Sequence, residues 1–104
     1  MSTVEIAWSK DLVIPIDPDG KRIYQLNFSK FLPQGVTMQS LVPDVVSGIT
    51  VELVTHDGVT ARIMARDAQI PAGSTAYIYA VRVHVVFSDT QEDDWTIRWR
   101  AEEK

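Results

Sequence analysis

The sequence predicts an all-β domain built from short antiparallel strands, and three observations lead to this prediction. Apolar and polar residues alternate along several stretches, which is the period-two pattern of half-buried strands. Turn residues separate these stretches, and no window of about 11 residues carries the 3.6-residue apolar period of an amphipathic helix. Because helical crossovers are not expected, neighbouring strands should be antiparallel.

Each stretch is identified by its alternation and bounded by turn chemistry. The clearest alternating stretches are 4–8, 24–28, 81–87 and 95–99. Asp17-Pro18-Asp19-Gly20 forms a predicted turn, since Pro18 pre-sets φ and Gly20 tolerates positive φ. A short helical turn is expected near residues 29–32, with Ser29 as its cap.

The stretch 49–65 predicts a hairpin with a three-residue loop, 56–58, in which Gly58 is left-handed. This register puts the apolar residues on one face, whereas a one-residue slip would turn them outward. The predicted pairs are Thr55 with Val59, Leu53 with Ala61, Val51 with Ile63, and Glu52 with Arg62.

The stretch 81–100 predicts a second hairpin with a polar, acidic loop over residues 89–93. The predicted pairs are Phe87 with Trp95, Val85 with Ile97, and Val83 with Trp99. The same register sets Arg82 opposite Arg100, which is unfavourable by some tenths of a kcal/mol. Trp95 and Trp99 share one strand face and are expected to pack in the core.

About seven short strands over about 100 residues is the expected size of an immunoglobulin-like antiparallel β-sandwich. A small barrel is the alternative. Residues 17–104 form the predicted sandwich domain. Residues 1–16 form an N-terminal segment that is either a strand or an arm that docks on a partner.

Composition excludes several classes of protein and site. The chain has 104 residues, a formal net charge of −4 and no cysteine. The acidic balance argues against a nucleic-acid-binding protein, which usually carries a basic face. Without cysteine the chain has no disulfide, thiolate metal site or cysteine nucleophile. No signal peptide or membrane-spanning run is recognised, so we expect a soluble protein made in the cytoplasm that does not bind membranes.

Neither histidine has the surroundings that a catalytic base requires. His56 lies in a predicted loop and His84 lies mid-strand, and no serine stands in a nucleophile-elbow sequence. The acidic run 89–94 lacks the spacing and the glycine of a calcium-binding EF-hand loop. We therefore expect no enzymatic activity, no cofactor and no metal site.

Two parts of the sequence carry a resemblance to a known group of proteins. The first comprises residues 17–32 (DPDGKRIYQLNFSKFL) and 35–40 (GVTMQS); the second comprises 73–77 (GSTAY), 81–83 (VRV) and 94–97 (DWTI). Together they resemble small phage proteins described as fiber-tail adaptor or tail-accessory proteins. That group usually has Trp-Ser-x-Trp-Leu where this chain has Phe-Ser-Lys-Phe-Leu at 28–32, a conservative difference.

The resemblance implies a non-enzymatic virion structural protein with an immunoglobulin-like fold. Such a protein is an adaptor at the tail, neck or fiber attachment and is assembled in the host cytoplasm. Its partners would be other phage virion proteins, namely tail, connector or fiber subunits, and copies of itself in a homo-oligomeric ring. The alternatives are a capsid decoration or collar subunit, a carbohydrate- or receptor-binding sandwich that uses calcium, and an enzyme based on His84 or His56 beside an aspartate.

Candidate interaction residues come from three segments. The N-terminal segment is rich in Val, Ile and Leu, the Asp-Pro turn is a candidate binding loop, and the acidic loop offers carboxylates to a basic patch on a partner. The candidates are Trp8, Leu12, Val13, Ile14, Asp17, Asp19, Asp89, Glu92 and Asp93.

Overall fold

A computed structural model of the protein describes residues 3–102. In this part of the chain there are eight strands and one short helical turn. The strands are β1 (Thr3–Ala7), β2 (Val13–Ile16), β3 (Lys21–Asn27), β4 (Met38–Pro43), β5 (Thr50–His56), β6 (Thr60–Arg66), β7 (Ala76–Phe87) and β8 (Glu92–Glu102). The turn is a 3₁₀ turn at Ser29–Phe31, which confirms the helical turn expected near residues 29–32. The expected cap is wrong, because Ser29 is the first residue of the turn and the capping position is Phe28, which makes no side-chain capping hydrogen bond.

The strands form two four-stranded sheets in a sandwich-like arrangement. Sheet A has the order β1-β3-β6-β5 and sheet B has the order β2-β8-β7-β4. Both sheets are mixed, because β1 runs parallel to β3 and β2 runs parallel to β8. The expectation of purely antiparallel sheets is therefore wrong. The chain passes from β1 through β2 in the other sheet before it reaches β3, so it re-enters sheet A in its original direction without a helical crossover.

An apolar core lies between the sheets. Within residues 3–102, no Ser, Thr, Asn, Gln, His or charged residue is buried. The long strands β7 and β8 contribute alternate residues to it, namely Tyr79, Val81, Val83, Val85, Phe87, Trp95, Ile97, Trp99 and Ala101. Complete burial of a large apolar side chain contributes about 1.5–3 kcal/mol, so this row is a main source of stability.

Aromatic residues of both sheets and of the connecting loops meet in this core. Trp95 stacks on Trp8 and on Phe28, with ring centroids 5.4 and 4.9 Å apart. Trp99 packs edge-on against Tyr24 at 5.1 Å. Trp95 and Trp99 are thus core residues, as the sequence predicts.

The register of the β5–β6 hairpin differs from the prediction. Leu53 lies opposite Ile63, Val51 opposite Ala65, Glu52 opposite Met64 and Thr55 opposite Arg62. The apolar residues still share the core-facing side, because a bulge between Leu53 and Thr55 restores the alternation.

The side chain of Asp57 explains this register. Its Oδ1 accepts hydrogen bonds from the N–H groups of Val59 (2.8 Å) and Thr60 (2.7 Å), so the loop closes later along the chain than predicted. Gly58 is not left-handed. A Cβ at Gly58 would lie 2.9 Å from Cβ of Thr37, so glycine is required there for close packing of the loop against the chain before β4.

The register of the β7–β8 hairpin is displaced by four residues from the prediction. The observed pairs are Val83 with Trp95, Val81 with Ile97, Tyr79 with Trp99, and Arg82 with Thr96. A tight loop causes this shift: Thr90 takes a φ of 71°, and the N–H of Phe87 donates to the carbonyl of Gln91 at 2.8 Å. The predicted loop over 89–93 is therefore wrong, because Glu92 and Asp93 belong to β8. The unfavourable pairing of Arg82 with Arg100 does not arise.

Candidate interaction surface

The candidate residues of the N-terminal segment divide between core and surface. Residues 3–16 supply β1 and β2 to the two sheets of their own chain. Trp8 and Ile14 are only 2% and 1% exposed, so their side chains are not available to a partner in the folded chain. Leu12 is partly buried against the core, and Val13 is 37% exposed on β2. The prediction that Trp8 and Ile14 lie on a contact surface is therefore wrong. Alternation alone does not show which neighbouring strand will cover a residue.

The carboxylate of Asp17 organises its turn. Its Oδ1 accepts the N–H of Asp19 at 2.9 Å, and its carbonyl accepts the N–H of Gly20 at 2.9 Å. Asp17 and Asp19 are both exposed. The turn thus presents two carboxylates, of which Asp17 also holds the local backbone.

Two carboxylates of the acidic run likewise bind the hairpin itself. Asp89 accepts the N–H of Gln91 at 3.1 Å, which supports the tight turn. Asp93 accepts the indole N–H of Trp95 at 3.1 Å and the backbone N–H of Asp94 at 2.9 Å. These contacts give the exposed carboxylates a structural role besides any contact with a partner.

His84 forms a cluster that sequence reasoning did not find. It lies on the outer face of sheet B, opposite Asp94 in the neighbouring strand. Its Nδ1 is 2.9 Å from Asp94 Oδ1, and its Nε2 contacts Glu92 Oε1. Ionised carboxylates only accept hydrogen bonds, so this geometry favours the imidazolium, which donates from both nitrogens. The hydrogen bonds to Asp94 and then to Glu92 raise the pKa of His84 above its usual range.

Neither histidine presents a base to a nucleophile. Both ring nitrogens of His84 contact carboxylates, and Nδ1 of His56 lies 3.1 Å from the carbonyl of Asp57. Residues 3–102 also contain no group of three or more His, Asp or Glu side chains placed to hold a metal ion. The charged groups of this surface are held by hydrogen bonds to neighbouring residues.

The arginines on the outer face of sheet B are engaged with neighbouring groups. Arg82 pairs with Asp44 and Arg100 with Glu102, each at 3.2 Å, and these pairs are about half-exposed. Arg98 donates to the carbonyl of Lys10 at 2.9 Å. Such exposed pairs contribute about 0–1 kcal/mol each to stability, so their main effect is on the charge pattern that a partner meets.

A shallow cleft of about 320 Å³ lies beside β8 and the loop after β1. Its lining includes Lys10, Asp11, Asp94 and Arg98, with Trp8 and Trp95 beneath. The two indoles stack on each other and are 2% and 6% exposed, so their faces are not available to stack on a ligand. The cleft therefore offers charges of both signs but no aromatic platform.

No helix in the described part of the chain is long and apolar enough to cross a membrane.

No family model matches the chain, and no significant match was found among curated proteins or solved structures.

Proposed function

We propose that this chain is a non-enzymatic structural protein of a bacteriophage virion with an immunoglobulin-like sandwich fold. It is an adaptor at the tail, neck or fiber attachment and acts by adhesion between subunits. Its partners are tail, connector or fiber subunits and further copies of itself.

The resemblance of residues 17–40 and 73–97 to phage adaptor proteins supports the phage assignment, and one structural observation supports the contact role. Every Asp, Glu, His, Lys and Arg side chain in residues 3–102 lies at or near the surface, while the interior is apolar apart from the buried tyrosines. A catalytic or ligand site usually brings polar groups together in a concave, partly desolvated pocket. The charges of this chain instead lie on exposed sheet faces, at strand ends and in a shallow cleft, which is a distribution suited to contacts between subunits.

The capsid decoration or collar role has the same physical requirements, and position in the particle distinguishes it. The carbohydrate- or receptor-binding alternative is less well supported, because the three Trp side chains are all buried and do not form an exposed platform.

The experiment that tests the proposal is to locate the protein in particles. The phage that encodes the gene is purified by density gradient, and its proteins are quantified by mass spectrometry and mapped by electron microscopy. We expect a fixed copy number per particle and density for a small sandwich at the tail, neck or fiber attachment. Density on the capsid or collar would support the alternative role, and absence from particles would contradict the proposal.

A further inference from the structure

The free edge of β1 differs from the other three edges of the two sheets. The edges are β1 and β5 in sheet A, and β2 and β4 in sheet B. The pairing of β4 and of β5 is interrupted by a bulge. In β2, Pro15 lacks an N–H and its carbonyl accepts the hydroxyl of Tyr24 at 3.3 Å. Bulges and prolines prevent other chains from adding to an edge. Among the described strands, β1 is the edge that has neither.

The backbone of β1 presents regular hydrogen-bonding groups along this edge. The N–H of Trp8 donates to the carbonyl of Asn27 at 2.9 Å, and β1 is in unbroken parallel register with β3. Since backbone groups point alternately to the two sides of a strand, those of Val4 and Ile6 also point to β3. The N–H and C=O groups of Thr3, Glu5 and Ala7 therefore point away from the sheet, where an added strand would bind them.

The side chains of β1 form two rows that an added strand would extend. Val4 and Ile6 face the core but are only partly buried, because no strand covers their outer side. Glu5 lies on the opposite face, in one row with Gln25 and Arg62. Arg62 donates to the hydroxyl of Thr3 at 3.0 Å, and Glu5 has no ion pair with any residue in 3–102.

The charge of Glu5 favours one kind of added strand over another. A two-fold pairing of β1 with β1 of a second copy, centred on Glu5, would set two carboxylates opposite each other, which is unfavourable. The net charge of −4 on each copy adds to this repulsion. A lysine or arginine opposite Glu5 is favourable.

We propose that the free edge of β1 accepts an extended segment of a different virion protein. Apolar side chains of that segment lie next to Val4 and Ile6, and a lysine or arginine lies next to Glu5. The segment adds a fifth strand to sheet A. The inference rests on the proposed adaptor function, of which it names the binding surface and the chemistry of the partner.

Two synthetic peptides test this inference on the full chain. One is Thr-Val-Thr-Val-Lys-Val-Thr-Val-Thr, and the other has Glu in place of the central Lys. Binding is followed by NMR through the backbone amide signals at low salt, because salt screens the exposed charge of Glu5. We expect saturable binding of the Lys peptide, with the largest shifts at Thr3, Glu5 and Ala7. The Glu peptide should bind about three- to tenfold more weakly, since like charges then face each other.

Two pairs of variants separate backbone pairing from side-chain effects. Ala7→Pro removes an outward N–H, and the proline ring blocks the added strand, so the affinity for the Lys peptide should fall at least about tenfold. Ala7→Ser keeps the N–H and should bind like the original chain. Glu5→Lys should reverse the preference between the peptides, and Glu5→Gln should abolish it. Dispersed NMR spectra and unchanged thermal midpoints confirm that each variant is folded.

Three results would overturn the inference: no saturable binding of either peptide up to about 2 mM, shifts confined to β2, β4 or β5, or unchanged binding by the folded Ala7→Pro variant. None of these affects the location of the protein in particles. A protein found in the virion without β1 binding would contradict this inference alone, whereas absence from particles would contradict the proposed function.

Discussion

Gly48 lies where both backbone conformation and space require glycine. Its φ is 94°, and a Cβ at this position would lie 2.6 Å from the hydroxyl of Tyr79. That hydroxyl donates to the carbonyl of Gln69 at 2.6 Å, and the N–H of Gln69 donates to the carbonyl of Gly48 at 2.8 Å. The three residues therefore tie the chain before β5 to the chain after β6 and to β7.

We predict that Gly48→Ala lowers the free energy of unfolding by about 2 kcal/mol or more, because it combines backbone strain with a steric clash. Tyr79→Phe should cost about 1 kcal/mol through the lost hydrogen bond. The double variant should lose less free energy of unfolding than the two single variants lose together, since removal of the Tyr79 hydroxyl relieves part of the clash. Urea unfolding followed by Trp fluorescence measures all three values. Gly35→Ala has space for its Cβ and also a positive φ, 76° against 94° at Gly48, so it approximates the backbone contribution alone. An equal loss in Gly35→Ala and Gly48→Ala would contradict the steric part of this explanation.

At the scale of elements, the β7–β8 hairpin combines a tight loop with a charged cross-strand cluster. His84 on β7 contacts Asp94 and Glu92 on β8. Arg82 lies two residues away on the same strand and pairs with Asp44, while β4 places Val42 opposite His84. The cluster thus holds two carboxylates around one imidazole near the end of the hairpin.

We predict that this cluster makes stability fall as pH rises above 6.5, the usual pKa of histidine. The pKa of His84 is higher in the folded chain than the usual value of 6.5. The stabilisation that the cluster gives the folded chain is therefore fully present below the pKa that His84 has in the unfolded chain. It is lost as pH rises through the pKa that His84 has in the folded chain. Above that range the two carboxylates repel each other without a compensating charge.

The measurement compares the original chain with His84→Gln between about pH 5 and pH 9. The difference in their free energies of unfolding should shrink as pH rises, and the NMR titration of His84 should have a midpoint above that of a model peptide. His56→Gln removes a histidine outside the cluster and is the matched control, so His84→Gln should change the pH dependence more than His56→Gln does. A constant difference between the original chain and His84→Gln at every pH would show that the cluster does not titrate as described.

At the scale of the whole molecule, the two sheets are joined by apolar packing. Trp99 is 0% exposed and reaches across the core from sheet B to Tyr24 of sheet A. Its indole N–H has no hydrogen-bond partner within the described residues, so its contribution comes from buried area and packing.

We predict that Trp99→Ala destabilises the chain by about 3–5 kcal/mol, because it leaves a large cavity between the sheets. That loss is a large fraction of the roughly 5–15 kcal/mol that stabilises a typical domain, so the variant should be partly or wholly unfolded. Trp99→Phe should remain folded with a smaller loss, and Val13→Ala, at an exposed site, should change stability by less than about 0.5 kcal/mol. Circular dichroism during thermal unfolding measures each. A cooperative, nearly unchanged transition for Trp99→Ala would contradict the central role of this residue.

The sequence by itself determined most of the strands, with β2 and β4 as exceptions, because side-chain alternation is a local property of an extended chain. The stretches around residues 24–28, 81–87 and 95–99 and the core positions of Trp95 and Trp99 follow from it. The apolar face of a strand does not specify, however, which strand will pair with it or in which register. Shifting the β7–β8 pairing by four residues leaves the same side chains in the core, so alternation does not distinguish the two registers.

Only the tertiary structure decided the strand directions, the hairpin registers and the free edges, because these depend on residues far apart in the chain. The strand directions in the two mixed sheets follow from the path of the chain between them, which no local pattern records. The loop conformation at Thr90 selects the register that joins His84 to Asp94. The burial of Trp8 depends on Phe28 and Trp95, and the free edge of β1 depends on which strands lie inside each sheet. Local physics thus shapes the strands, while loop closure and packing between distant segments decide how they pair and which surfaces remain free.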